Sequence, residues 1–188
     1  SSPVSGMSGV VGGTAEVSKL LADLEQNLTQ DPKDTKSLFR RALYYDVYRL
    51  KLARQLIGYY QRYLKSGAEP GSGRTRFVIS RVSAIRDWLR RRDADRSVAT
   101  IETNRAAFRV NNYRGPAKDM LIPTKGNPAL FKKLINKALY LQAQNRPEEA
   151  EREFLQALLC NPQSIDALAS IDKFASDKFK KHQEGAGS

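Results

Sequence analysis

The residues of this sequence best suited to chemistry are arginines, which cluster between Arg74 and Arg96. The stretch reads RTRFVISRVSAIRDWLRRRDADR, so cations are interleaved with apolar residues at helical spacing. A guanidinium donates two parallel hydrogen bonds to a phosphate and is more weakly hydrated than an ammonium group. A helix with one arginine-rich face would therefore suit a polyanionic partner.

Other residue types offer little catalytic chemistry. Asp93 and Asp95 are two residues apart at an expected helix start, where aspartates are typical caps. The chain has one cysteine, Cys160, and one histidine, His182, which excludes an internal disulfide and a Cys/His zinc site. The sequence has no glycine-rich phosphate loop and no nucleophile–base pair. We therefore expect no enzymatic activity, no cofactor, no metal and no small-molecule substrate.

The positive charge is concentrated in the middle of the chain. The 188 residues carry a net charge of +12, and residues 36–120 alone hold 20 Lys and Arg against 7 Asp and Glu. This distribution favours nucleic acid over a membrane surface as the partner; a contribution to solubility alone is the other interpretation. No apolar run approaches the roughly 20 residues of a membrane-spanning helix, so no membrane is expected.

The periodicity of apolar residues predicts an all-α chain. We expect a flexible arm at 1–13, a basic four-helix domain at 14–105 and an extended basic linker at 106–126. Within the domain, the helices are expected at 14–30, at 35–66, at 74–92 and, after a break at 93–95, through Ile101.

The third of these helices has a predicted core face. Its apolar residues fall in one arc, and Arg81 projects into that arc, where it needs a partner or must reach the surface. The arc consists of Phe77, Val78, Val82, Ile85, Trp88 and Leu89. The tyrosines of the preceding helix are interleaved with basic residues; we interpret most of them as core edges with solvated hydroxyls, with stacking on bases as the alternative.

The C-terminal part, residues 127–182, resembles a tetratricopeptide repeat. A disordered tail is expected after it, at 183–188. The resemblance rests on alanines at close-packing positions, one aromatic and a closing proline: Ala138, Ala150, Phe154, Ala157 and Pro162. It implies a helical hairpin that contacts another protein through Ala138, Ala150, Phe154 and Ala157. Asn127 followed by Pro128 predicts the start of its first helix, and a third helix is expected from about Ser164 toward Lys181.

Residues 16–105 resemble the small-subunit ribosomal protein fifteen family, a bacterial-type family of four-helix rRNA-binding proteins. The similarity lies in Asp34-Thr35-Lys36-Ser37, Ile79-Ser80-Arg81, Asp87-Trp88-Leu89-Arg90-Arg91-Arg92-Asp93, Asp95-Arg96 and Ile101. The family's arginine pair in the third helix is replaced by Val82 and Ser83, and its loop before that helix by GAEPGSG. The resemblance therefore implies the fold more strongly than individual RNA contacts.

The resemblance implies a structural constituent of a small ribosomal subunit, with rRNA and neighbouring ribosomal proteins as partners. Additional segments beyond the family's pattern suggest an organellar ribosome, in a mitochondrion or plastid. In this reading a helix N-terminus and a row of arginines contact RNA through shape and phosphates: Thr35, Ser37, Arg74, Arg76, Arg81, Arg90, Arg91, Arg92 and Arg96. The alternative is a non-enzymatic helical scaffold or adaptor that binds proteins through its C-terminal hairpin.

Overall fold

In a computed structural model, the backbone is described for residues 5–103 and 126–173, and the side chains for residues 15–94 and 126–173. Every regular element in these ranges is a helix, which confirms the all-α class. None of the described helices is long and apolar enough to cross a bilayer. The helices are α1 (Ser5–Gln30), α2 (Thr35–Val47), α3 (Ala53–Lys65), α4 (Gly73–Thr103), α5 (Pro128–Ala143), α6 (Pro147–Cys160) and α7 (165–173).

The first helix is longer than the sequence predicts. It begins at Ser5, within the expected flexible arm, instead of at Thr14. A helix that has been nucleated extends at little cost per residue, so weak helix formers can join its end when no proline intervenes. The predicted end is confirmed, since α1 ends at Gln30, one residue before Asp31 and Pro32.

The single helix expected at 35–66 is wrong, because the chain reverses between α2 and α3. Arg49 adopts a left-handed conformation with φ 53°, and its N–H donates to the carbonyl of Asp46 at 3.1 Å. The N–H of Leu50 donates to the carbonyl of Tyr45 at 2.9 Å, which completes a Schellman motif. The stretch has neither glycine nor proline, so tertiary packing of α3 on α2 imposes this turn against the local helix preference.

The expected break at 93–95 is also wrong, because α4 continues from Gly73 to Thr103. Asp93 does not cap a new helix. Its carboxylate lies 3.0 Å from Arg54 Nη2 on α3, so the side chain interacts across helices and leaves the backbone ladder intact. The predicted end of the second expected helix near residue 66 is confirmed. Gly67 follows α3 with φ 90°.

The core is organised around α2, of which ten of the thirteen residues are buried. Helices α1 and α3 both pack on α2, and α4 packs on α3; the buried residues of α1 include Val17, Leu24 and Leu28. The predicted core face of α4 is confirmed: five members of the arc are buried and Trp88 packs against them partly exposed. The buried members are Phe77, Val78, Val82, Ile85 and Leu89.

The C-terminal helices α5 and α6 form a hairpin, and the predicted N-cap is confirmed. Asn127 Oδ1 accepts the N–H of Leu130 at 3.1 Å, and Pro128 is the first helical residue. Helix α6 packs on α4, and one hydrophobic cluster extends from Val17 to Ile171. The two parts of the chain therefore share a core.

Ion pairs reinforce this docking. Arg40 on α2 binds Asp172 on α7 through Nε and Nη2, at 2.6 and 2.9 Å, and the Tyr44 hydroxyl donates to the same carboxylate at 2.8 Å. Arg74 at the start of α4 binds Glu151 on α6 at 2.7 Å. The predicted linker 106–126, apart from Gly126, and the predicted tail 183–188 lie outside the described residues, as does the part of the predicted last helix beyond residue 173.

Candidate nucleic-acid interface

Helices α3 and α4 enclose an open groove of about 780 Å³ on the surface. Its floor is apolar, formed by Ile57 and Leu89 together with Ile79, which is 54% exposed. Three arginines from two helices surround the floor: Arg54 from α3, and Arg86 and Arg90 from α4. The groove thus combines apolar area with cationic side chains that remain in solvent.

The charge of this groove is only partly compensated. Arg54 pairs with Asp93, and Arg90 pairs with Asp87 one turn earlier on the same helix. Arg86 makes no ion pair with any residue whose side chain the structure describes. Because the paired groups are all largely exposed, a polyanion can compete for the arginines at little cost.

Three of the arginines predicted to contact RNA are exposed on α4: Arg76, Arg90 and Arg91. Arg92 is partly buried, with its guanidinium carbon 5.2 Å from the centre of the Trp88 ring. The side chain of Arg96 lies outside the described residues.

The prediction that Arg81 contacts RNA is wrong, because the structure places this residue in the core. Its Nε and Nη2 donate to the two carboxylate oxygens of Asp46 at 2.7 and 2.8 Å. Both side chains are almost fully buried. Burial by itself lowers the pKa of Arg81, but the Asp46 carboxylate outweighs it and raises that pKa. The guanidinium has found its partner inside the protein and cannot reach a phosphate.

Arg74 also has a partner inside the protein, but its side chain is partly exposed. Its guanidinium binds Glu151 on α6 and lies 5.1 Å from the centre of the Phe39 ring. This arginine fastens α6 to the start of α4 through Nε and Nη2, two of the nitrogens of its guanidinium, so its contact with RNA stays a prediction.

The two side chains predicted to contact RNA at the start of α2 make hydrogen bonds within the protein. Ser37 is buried and its hydroxyl donates to Asp34, the N-cap residue of α2. The Thr35 hydroxyl accepts a hydrogen bond from Ser66 at 3.1 Å and is partly buried. The predicted contact of Ser37 with RNA is therefore wrong, whereas the predicted contact of Thr35 stays a prediction.

The prediction that four residues of the C-terminal hairpin contact another protein is wrong, because these residues form the interior of the hairpin. Their exposures are 0 or 1%, so a partner cannot touch them: Ala138, Ala150, Phe154 and Ala157. Small side chains here let α5 and α6 approach closely.

The tyrosines of α2 and α3 belong mainly to the core, as expected, but the hydroxyls of Tyr60 and Tyr63 are buried and not solvated. The hydroxyl of Tyr60 donates to Asp46 at 2.7 Å, and that of Tyr63 is 3.1 Å from the Thr75 hydroxyl. Burial, followed by the nearby Asp46 charge, raises the pKa of Tyr60 well above its ordinary value. Tyr59 is the partly exposed one of this group on α3, and cations lie against its ring.

Sequence reasoning missed Arg54 and Arg86 as members of a common surface. The spacing of Arg86 and Arg90 by one helical turn was visible in the sequence. Arg54 joins them only because the chain reverses after α2, and no residue type in the turn signals that reversal.

Among the described residues, no group of histidine, cysteine, aspartate or glutamate is arranged to hold a metal ion. Cys160 is partly buried at the end of α6, and burial raises the pKa of its thiol. Comparisons of the chain with protein-family models, with curated proteins and with solved structures found no match.

Proposed function

We propose that this protein is a non-enzymatic RNA-binding subunit of a ribonucleoprotein. The observation that carries the proposal is the convergence of Arg54, Arg86 and Arg90, from two helices, on an open groove with an apolar floor. Exposed guanidinium groups neutralise backbone phosphates and release counterions. The chain's net charge of +12 supports the same partner.

The mode of recognition follows from what an RNA duplex presents. Its minor groove is wide and shallow and displays 2′-hydroxyl groups, so proteins recognise duplex RNA by shape and by sugar and phosphate contacts. Two rigid helices that hold arginines at fixed separation suit such a surface. The groove offers few neutral hydrogen-bonding side chains, Ser83 being one, which favours recognition of shape over base sequence.

The assembly we propose is a small ribosomal subunit, with rRNA and neighbouring ribosomal proteins as partners. This assignment rests on the resemblance of residues 16–105 to the small-subunit ribosomal protein fifteen family. The rRNA-binding bundle followed by a tetratricopeptide-like hairpin is the corresponding architecture, and a mitochondrion or plastid is the corresponding compartment. Crosslinking in cells followed by sequencing of the bound RNA tests it: reads clustered on one small-subunit rRNA junction support it, and their absence from that rRNA contradicts it.

The RNA-binding surface itself is tested by charge removal with a matched control. Arg54→Gln/Arg86→Gln removes two charges from the groove, whereas Lys132→Gln/Lys133→Gln removes two exposed charges from α5. Binding of an RNA duplex with a helical junction is measured over a range of salt concentrations. We expect the groove variant to reduce the slope of log affinity against log salt by about one unit per lost phosphate contact. An equal change in both variants would contradict the assignment of the groove.

The adaptor hypothesis keeps a specific observation in its favour. Helix α5 exposes three large apolar residues, Leu130, Leu139 and Tyr140, at 42, 49 and 60%. Contiguous exposed apolar residues mark protein contacts, and Leu139 and Tyr140 are adjacent in the chain. Affinity capture with and without nuclease separates the two functions: partners that persist after RNA is digested, and that are lost in Leu139→Ser/Tyr140→Ser, favour the adaptor.

A further inference from the structure

A second cationic surface lies away from the groove, in a cleft between the end of α1, the start of α2 and the end of α3. The cleft measures about 410 Å³. Four cations line it, and Glu25 is the one carboxylate among its lining residues. The cations come from three parts of the chain: Lys33, Arg41, Arg62 and Lys65.

Arg41 distinguishes this cleft from an ordinary basic surface. It is 7% exposed, and its Nη1 donates to Glu25 Oε1 at 2.9 Å. Its Nε is buried and has no hydrogen-bond acceptor among the described residues. A buried guanidinium normally has its donors satisfied, since a buried unpartnered donor carries a desolvation penalty. Arg41 therefore has fewer acceptors than its burial demands.

The carboxylate that does bind Arg41 is a weak competitor for an incoming anion. Glu25 is about half exposed, so water stabilises it when it separates from Arg41. Its Oε1 also accepts a hydrogen bond from the Tyr45 hydroxyl at 3.4 Å, which holds it at the edge of the cleft.

The remaining three cations are exposed and available to a ligand. Lys33, Arg62 and Lys65 are exposed and make no ion pair with any residue whose side chain the structure describes. Arg41 and Arg62 both lie against the Tyr59 ring, at 4.9 and 5.0 Å from its centre. This ring fixes the positions of two guanidinium groups beside the same cleft.

We propose that this cleft binds a phosphate group, either a phosphodiester of an RNA strand or the phosphate of a free phosphorylated compound. A phosphodiester offers two non-bridging oxygens and one negative charge, and a phosphate monoester offers three oxygens and up to two charges; either suits donors that converge from three directions. One carboxylate, Glu25, leaves three of the four cationic charges in the cleft uncompensated. The site does not depend on the groove between α3 and α4, and none of its four cations belongs to that groove.

The test uses the full chain and inorganic phosphate as the first probe. The side-chain Nε–H resonance of Arg41 is followed by nuclear magnetic resonance during a phosphate titration, with chloride at equal ionic strength as the salt control. We expect a saturable shift with phosphate and none with chloride. Arg62→Gln/Lys65→Gln should weaken phosphate affinity about tenfold or more, because one charge-assisted hydrogen bond is worth about tenfold and the variant removes two cations. The matched control, Lys132→Gln/Lys133→Gln, removes two exposed charges from α5 and should leave this affinity unchanged.

A second arm identifies the source of the phosphate. If an RNA duplex without free phosphate shifts the same resonance and inorganic phosphate competes with it, the ligand is the RNA backbone. If phosphate shifts the resonance and RNA does not, the ligand is a free phosphorylated compound. A phosphate titration that is unsaturable, or that both variants weaken equally, overturns the site. Because the RNA slope of the groove variant is measured separately, failure here leaves the RNA-binding proposal to its own test.

Discussion

Arg81 on α4 and Asp46 on α2 form a two-point ion pair inside the core, with Nε–Oδ2 and Nη2–Oδ1 distances of 2.7 and 2.8 Å. The Tyr60 hydroxyl of α3 donates to the same carboxylate at 2.7 Å. Three helices are thus joined at one buried carboxylate. A polar network of this kind fixes the relative positions of helices, since any shift would leave a charge without its partner.

Removing one member of this pair should be strongly destabilising. Arg81→Met leaves Asp46 as a buried carboxylate with one donor, and we expect a loss of about 3–5 kcal/mol in the free energy of unfolding. Urea denaturation followed by circular dichroism measures it. Arg86→Met, an exposed arginine on the next turn of α4, is the control and should change stability by less than about 0.5 kcal/mol.

The double variant Asp46→Leu/Arg81→Met shows whether the cost comes from the orphaned charge. We expect it to be more stable than Arg81→Met alone, because both charges have been removed together. Losses that simply add would show that packing, not charge, dominates at this position.

Alkaline pH should weaken the fold through Tyr60. Burial, and then the Asp46 charge, raises its pKa in the folded state above the ordinary value of about 10. Its neutral form is therefore favoured by folding: the contribution is fully present below the unfolded-state pKa and decreases as the pH rises above it. We expect the free energy of unfolding to fall above about pH 10.

Tyr60→Phe tests this dependence. The variant loses one buried hydrogen bond, so it should be less stable than the parent at neutral pH, yet its stability should fall less steeply in alkali. Stability is measured by urea denaturation at a series of pH values. Tyr140→Phe, which alters an exposed tyrosine, is the control. Parallel curves for Tyr60→Phe and the parent protein would contradict the assignment.

The attachment of the C-terminal helices to α2 should depend on Asp172. This carboxylate accepts hydrogen bonds from Arg40 and Tyr44, and it and Arg40 are about one-fifth exposed. We expect Asp172→Asn to cost about 2 kcal/mol, the loss of charge-assisted hydrogen bonds in a partly buried place. Thermal unfolding measures it, with the exposed Asp166→Asn as control. Hydrogen exchange should rise first in α7; an unchanged exchange rate there would contradict the role.

The sequence predicts features that depend on residue spacing and local backbone chemistry, but not features that depend on contacts between distant residues. Burial of the apolar arc on α4 and the Asn127 cap follow from spacing and from local backbone chemistry, so both are predictable. The turn after α2 is not, because its left-handed residue is an arginine and only the packing of α3 on α2 stabilises it. The same limit applies to Arg81: its place in the apolar arc predicts that it needs a partner, but not that the partner is Asp46, 35 positions away in the chain.

Arg49 should be a point of strain that glycine relieves. Its φ of 53° is unfavourable for a side chain with a Cβ, and glycine is the residue that adopts this conformation at a helix end without that cost. We expect Arg49→Gly to raise the free energy of unfolding by about 0.5–1 kcal/mol, the relief of strain less the added freedom of the unfolded chain. Arg49→Val should lower it by about 1 kcal/mol or more, because β-branched residues tolerate this conformation least.

Asn145, the other non-glycine residue with positive φ among the described residues, is the control: asparagine tolerates the left-handed region, so Asn145→Gly should gain less. Thermal unfolding of the three variants gives the comparison, and a destabilised Arg49→Gly would show that the chain between α2 and α3 does not turn through a left-handed residue.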